Sequence, residues 1–254
     1  MITLRKKQAP ASPFTSRPAH FQNSILGLTT MTTDPEQIPA DNVKRFDDAA
    51  ADWDEKPQRV ALARRVAEAI QQAIPLAGTM QVLEYGCGTG LVSRALSPHV
   101  QKITAVDTSP RMLEVLRQKA GEEKISNIET LAHDLTETPL PEQNFDLAIS
   151  SMTLHHIPDF ETLLHRFFVT LKPGGYLALA DLVSEDGSFH EDSSGVAHHG
   201  INPETVRAIL QKNGGLDIGV KEIHTIEKQP GNDGKQRKYP VFLAWCRKAS
   251  DSNS

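Results

Sequence analysis

The spacing of hydrophobic residues changes several times along the chain, and each change marks an element. From about Asp41, the residues Val43, Phe46, Ala49, Ala50 and Trp53 recur every three or four positions, and the same spacing returns after Pro57 in Val60, Leu62, Ala63, Val66, Ala67 and Ile70. This predicts two helices ahead of the first strand. Beyond Gly78, short apolar runs alternate with amphipathic stretches, the pattern of successive βαβ units. Strands are expected at Gln81–Tyr85, Lys102–Asp107, 127–132, 145–150 and 176–181, with helices near Leu91–Leu96, 110–120 and 159–171. The last third reads as a helix over 201–213 stopped by Gly214 and Gly215, then strands over 216–227 and 239–248 joined by a polar loop. Such a hairpin makes the edge of a parallel sheet antiparallel.

No run approaches the roughly 18 apolar residues of a membrane-spanning helix, so no membrane partner is expected. With 39% hydrophobic and 23% charged residues, the 254-residue chain has an ordinary globular composition. Residues 1–33 differ from the rest: they hold Arg5, Lys6, Lys7 and Arg17, nine Ser or Thr, and no acid. They are expected to be a disordered tail or a transit segment. Translation from Met31 would remove the question. The expected compartment is the cytoplasm, or the mitochondrion if the segment is a transit peptide. Residues 34–254 are expected to form one domain with a helical cap at about 41–74. After the tail, 23 basic residues face 32 acidic ones, which argues against a nucleic-acid surface. Cys87 and Cys246 stand too far apart to suggest a disulfide framework or a zinc cluster.

The chemistry gathers at Val82-Leu-Glu-Tyr-Gly-Cys-Gly-Thr-Gly90, where a strand runs into three spaced glycines. Glycines let the chain turn sharply and bring a ligand against the main chain. Their G-x-G-x-G spacing is not the G-x-G-x-x-G of a dinucleotide site, which puts an NAD-dependent oxidoreductase behind other readings. Asp107 ends the next strand, 21 positions after Gly86, where an acid accepts from ribose hydroxyls. Glu84 would repel a pyrophosphate but suits an ammonium group, and Asp134, in His133-Asp134-Leu135, can accept from an exocyclic amine. These positions fit a ligand with an amine, a ribose and an adenine. Cys87 has no basic neighbour in sequence to activate it and reads as a small loop residue.

With these motifs the chain resembles the class I S-adenosylmethionine-dependent methyltransferases of the small-molecule type, over roughly residues 46–215. The resemblance also rests on Val106-Asp-Thr-Ser-Pro110, Phe145-Asp-Leu-Ala-Ile149 and Leu171-Lys-Pro-Gly-Gly175. It implies a Rossmann-like α/β sandwich with a seven-stranded, mostly parallel sheet and an antiparallel last strand. It implies S-adenosylmethionine as methyl donor, with Gly86 and Gly88 near the methionine part, Asp107 at the ribose, Asp134 and Leu135 bracketing the adenine, and Thr108 and Ser150 also in contact. The acceptor expected is a small molecule methylated on O, N, S or C. A protein side chain, or a noncatalytic donor-binding module on the same fold, are the alternatives.

His155 and His156 follow the fourth strand and are candidates to take a proton from the acceptor. A second candidate is His190, in a polar segment over 183–202 that also holds Glu185, Asp186, Glu191, Asp192, His198 and His199. By position this segment is a lid that selects the acceptor; its composition predicts a mobile, solvated loop. No metal is expected, because no tight spacing such as H-E-x-x-H occurs.

Overall fold

The computed structural model describes residues 38–140, 144–228 and 236–250. Residues 1–33, on which the expectation of a tail or transit segment falls, lie outside them. The described residues belong to one compact unit, and no helix among them is long and apolar enough to cross a membrane. Seven strands form one sheet: β1 (Gln81–Tyr85), β2 (Lys102–Asp107), β3 (Ile128–Ala132), β4 (Phe145–Ser151), β5 (Leu171–Leu182), β6 (Gly215–Lys228) and β7 (Arg237–Lys248), in the order 3-2-1-4-5-7-6. Strands β1 to β5 pair in parallel, whereas β7 is antiparallel to both β5 and β6. The antiparallel strand expected at the edge is thus one place in. The edge itself is β6, which runs parallel to β5, because β7 turns back between the two.

Alternation along the central strands divides the core. Val82, Ile103, Leu147, Ile149, Ala178 and Leu243 turn to one face, against Val66 and Ile70 of α2 (Pro57–Ala73) and Leu96 of α3 (Leu91–Leu96). Leu113 and Leu116 of α4 (Pro110–Glu122) pack on that face too. Leu83, Tyr85, Ala148, Leu177, Leu179 and Phe242 turn to the other, against Leu164 and Phe167 of α5 (Phe160–Thr170) and Val206 and Leu210 of α6 (Pro203–Lys212). Covering both faces explains why these strands read as near-continuous apolar runs.

The helices start where side-chain caps and prolines dictate. Ser109 accepts from the Met112 N–H ahead of α4, Asp159 from Thr162 ahead of α5, and Asn202 from Glu204 ahead of α6; Pro110 and Pro203 occupy first-turn positions. The expected helix over 201–213 therefore begins two residues later, since Asn202 is its cap and Ile201 bridges to Val183. Strand β5 begins earlier than expected, at Leu171, and its register against β4 shifts between Phe145 and Leu147. The turn residues Pro173 and Gly174 lie within this irregularity, with Gly174 at φ +78°. The cap α1 (Ile38–Ala49) and α2 precede the sheet. The order reverses between β1 and β4, and the strand ends on either side of that switch point form the crevice where open α/β sheets bind ligands.

Candidate active site

A cavity of about 710 Å³ lies over the C-terminal ends of β1, β2 and β4. Its floor is the glycine loop. Gly86 has φ +72°, and a Cβ there would stand 2.1 Å from the Thr153 hydroxyl oxygen; Gly88 has φ +52° and open space around the added carbon. The first glycine allows strand β1 to pass close to the β4 turn, and the second keeps main chain bare toward the cavity.

Glu84 enters this floor fully buried. Burial lifts its carboxyl to about 7 despite a hydrogen bond from the Ser93 hydroxyl, and Asp107 nearby adds to the rise. Its described hydrogen-bond partner is thus a hydroxyl on α3 and not a cation. Asp107 accepts from the N–H groups of Gly88 and Ser109, both at 2.8 Å; burial again raises its pKa, and the backbone donors oppose that. Asp134 accepts from the Tyr85 hydroxyl at 3.1 Å and from the Thr136 N–H and hydroxyl at 2.7 and 2.6 Å. Glu84, Gly86, Gly88, Asp107, Thr108 and Asp134 all line the cavity.

Two expected contacts do not reach it with their side chains. Leu135 is fully buried in the core beneath α5, and Ser150 is fully buried with its hydroxyl donating to the Tyr85 carbonyl. Each points into the opposite face of the sheet or between strands, so neither side chain is on the cavity wall. Cys87 keeps its role as a loop residue: burial, then Asp107, pushes its thiol well above the usual range, so it stays protonated.

A cap closes one side. Asp54, between the two N-terminal helices, accepts from the Thr89 hydroxyl at 2.5 Å, from Arg94 at 3.0 Å and from Lys119 at 2.5 Å, which ties the cap to the glycine loop, α3 and α4 at once. Asp47 of α1 accepts from the Ser109 hydroxyl and the Arg111 N–H. Phe46 meets Trp53 edge to face at 5.7 Å, the Arg59 guanidinium stacks on Trp53 at 3.5 Å, and all three residues line the cavity.

The segment 183–202 closes the opposite side, and backbone bonds hold it there. The N–H groups of Ala197 and His198 donate to the His155 carbonyl, Arg45 of the cap donates to the Ser194 carbonyl at 2.8 Å, and Lys228 donates to the Phe189 carbonyl while sitting 4.6 Å over that ring. The mobile, solvated loop expected from composition is therefore an anchored wall. Polar composition says little where the main chain finds its partners internally.

Between cap and wall stand three histidines. A ring nitrogen of each of His155, His156 and His190 lies within 4.8 Å of one from both others. His155 and His156 follow Met152, held at φ +56°, in the turn that lifts them from the end of β4. The Asp181 carboxylate, fully buried at the end of β5, lies 2.6 Å from His155 Nδ1, and the Gly195 carbonyl lies 2.9 Å from His156 Nδ1. Carboxylate and carbonyl both accept, so each ring donates through Nδ1 and turns Nε2 away from that partner. Burial, and then the neighbouring His155, holds His156 well below the ordinary histidine value and His190 down at about 4. Both are neutral at pH 7. His190 Nδ1 is buried without a hydrogen-bond partner among the described residues. His198 and His199 stay outside: the first bonds the Ile157 carbonyl, and the second is half exposed near Glu185. Sequence reasoning missed Asp181, although an acid closing an apolar strand is the signal that identified Asp107.

Residues 83–179 match the family described as a methyltransferase domain. The chain is 32% identical over 152 residues to an uncharacterized methyltransferase of Schizosaccharomyces pombe, covering 54% of this chain and 53% of that one. It is also 32% identical over 152 residues to a ubiquinone biosynthesis O-methyltransferase of Coxiella burnetii, covering 58% of this chain and 64% of that one. The chain thus spans less than two thirds of the length of these relatives. The solved complex of DhpI with SAH matches 85% of this chain and 99% of its own at a TM-score of 0.63 and 22% identity, a likeness of fold.

Proposed function

We propose that the chain, whose residues 83–179 match a methyltransferase domain, is a class I S-adenosylmethionine-dependent methyltransferase that transfers the methyl group to a small-molecule acceptor whose nucleophile carries an exchangeable proton. The observation that carries the donor half of this reading is Glu84, a buried carboxyl on the cavity floor whose described side-chain partner is the Ser93 hydroxyl. A bound ammonium group would compensate its burial, and an α-amino group supplies one. Asp107 and Thr108 are the residues for ribose hydroxyls, and Asp134 for the amine of the base. When bound, S-adenosylmethionine supplies an electrophilic methyl on a sulfonium.

The protein's part is mostly placement. The glycine loop lets the main chain approach without side chains intervening, and Phe46, Trp53 and Phe189 exclude water from an aromatic-walled end of the cavity. The histidine cluster stands at that end, where the acceptor's nucleophile loses its proton. An acceptor with an apolar body suits these walls, and the relative named for ubiquinone biosynthesis supports a small molecule. Calorimetry with S-adenosylhomocysteine tests the donor half. A screen of small hydroxyl, thiol and amine acceptors with labelled donor tests the rest. Donor binding with no turnover on any acceptor would replace this reading by a noncatalytic binding module, and labelling of protein side chains alone would replace the acceptor class.

A further inference from the structure

We infer that His155, His156 and His190 form a binding site for a divalent transition-metal ion, of which zinc is the best fit, at the acceptor end of the cavity. The inference rests on the methyltransferase reading for the acceptor and the methyl transfer; the ion site itself stands on geometry.

Three features point to an ion. The first is convergence: one ring nitrogen from each of three histidines, drawn from the β4 turn and from the 183–202 wall 34 residues later, meets within 4.8 Å. Imidazole nitrogen is a preferred ligand of zinc, and three histidines with one open position is a known catalytic arrangement. The second is the outer layer. His155 is oriented by the Asp181 carboxylate and His156 by the Gly195 carbonyl, both through Nδ1. Ligating histidines are held in this way by a carboxylate or main-chain carbonyl on the ring nitrogen away from the ion. The third is what lacks a partner: His190 Nδ1 is buried with none among the described residues, an arrangement that costs stability unless something fills it.

The spacing requires a modest closure. A tetrahedral ion with bonds of about 2.0–2.1 Å holds its ligands roughly 3.4 Å apart, and rotation of the His190 ring on its loop provides the approach. Arg45 and Lys228 repel a cation here, and the buried Asp181 opposes them from behind His155. The open position would face the cavity, where all three histidines are lining residues. With an ion held there, an acceptor hydroxyl or thiol would give up its proton more readily, to bulk solvent at the cavity mouth. Its lone pair would then form the bond to the methyl carbon as the carbon–sulfur bond of the donor breaks and its electrons return to sulfur.

The test uses the full chain without an affinity tag, stripped by chelator and titrated with Co2+ while visible absorption is followed. Binding of one equivalent with the intense bands of four-coordinate cobalt, displaced by Zn2+, is the expected result. His156→Ala and His190→Ala, each checked for native circular dichroism, should weaken Co2+ binding about 100-fold or more. His199→Ala, half exposed and outside the cluster, should bind as the parent does. No binding by the parent, or equal binding by the parent and both cluster variants, overturns the site and leaves His155, oriented by Asp181, as a metal-free base. Calorimetry with S-adenosylhomocysteine on the same stripped protein reports on the donor site separately, so failure of either reading is recognised without the other.

Discussion

The Asp54 carboxylate of the N-terminal cap accepts the Thr89 hydroxyl of the glycine loop at 2.5 Å, and the same carboxylate binds Arg94 and Lys119. One part-buried acid thus joins the cap to the glycine loop, α3 and α4. Asp54→Ala leaves part-buried Lys119 without its partner and Arg94 with Glu123 and the Gly90 carbonyl alone, which is expected to cost about 1–3 kcal/mol and lower the thermal midpoint by a few degrees. Affinity for S-adenosylhomocysteine should fall with it. A midpoint equal to that of the parent in thermal denaturation would show that the cap is held by its apolar contacts alone.

Glu84 links donor binding to pH. Its folded pKa of about 7 lies above the ordinary carboxylate value of 4.5. Its contribution to stability is therefore fully present below about 4.5 and is lost as pH rises through 7. Glu84→Gln keeps an acceptor for Ser93 and removes the charge. It should raise the midpoint of the ligand-free protein at pH 8, by up to roughly 3 kcal/mol of stability, with little difference at pH 5. Donor affinity should move the other way: in the parent it increases as pH passes upward through 7, and in the variant it is weak and flat. Calorimetry across this range decides between them.

Asp107 accepts one backbone N–H on each carboxylate oxygen, so an amide at this position sets its NH2 against one of those donors. Asp107→Asn should weaken donor binding by at least about 1.5–3 kcal/mol, roughly 10- to 150-fold, through loss of the charge-assisted bond and of one loop contact. Unchanged affinity by titration would remove the residue from the ribose position.

The histidines should separate into two groups. His155→Ala is expected to lower turnover by at least about 100-fold while leaving donor affinity nearly unchanged, because its ring lies at the acceptor end. His198→Ala, whose imidazole serves the Ile157 carbonyl, should alter thermal stability and leave acceptor kinetics in place. With His190 neutral above about pH 4 and His156 also held down, protonation of these two rings should not shape the rate between pH 6 and 8. A rate that falls in this range in Glu84→Gln with donor saturating would contradict that.

Most of the donor floor could be read from the sequence because it is local. Glu84, Gly86 and Gly88 stand at alternate positions where β1 runs into the turn before α3, Asp107 ends β2 and Asp134 follows β3, so chain position alone brings them to the switch point. Leu135 and Ser150 keep their side chains off the cavity wall, which position in a motif does not reveal: Leu135 packs under α5 and the Ser150 hydroxyl bonds the Tyr85 carbonyl. The acceptor end was legible only in parts. His155 and His190 looked like separate candidates, and the bonds that bring the 183–202 segment onto His155 are main-chain bonds, which leave no mark in composition. For the same reason, the polar composition of that segment predicts solvation although its backbone is engaged.

Strand β7 stands between β5 and β6 although it follows both in sequence. While a nascent chain still lacks residues 237–248, the outer side of β5 presents unpaired N–H and C=O groups, and β6 has no strand to lie beside. The glycine loop, Asp107 and Asp134 are in place by then, since β1 to β4 position them, but Asp181, which orients His155, sits on that open edge. Synthesis thus passes through a form that has a donor crevice and an exposed sheet edge, a template for pairing with other chains. Protection from aggregation comes only when one late segment inserts as a wedge, and damage there would be felt as insolubility before it was felt as lost chemistry.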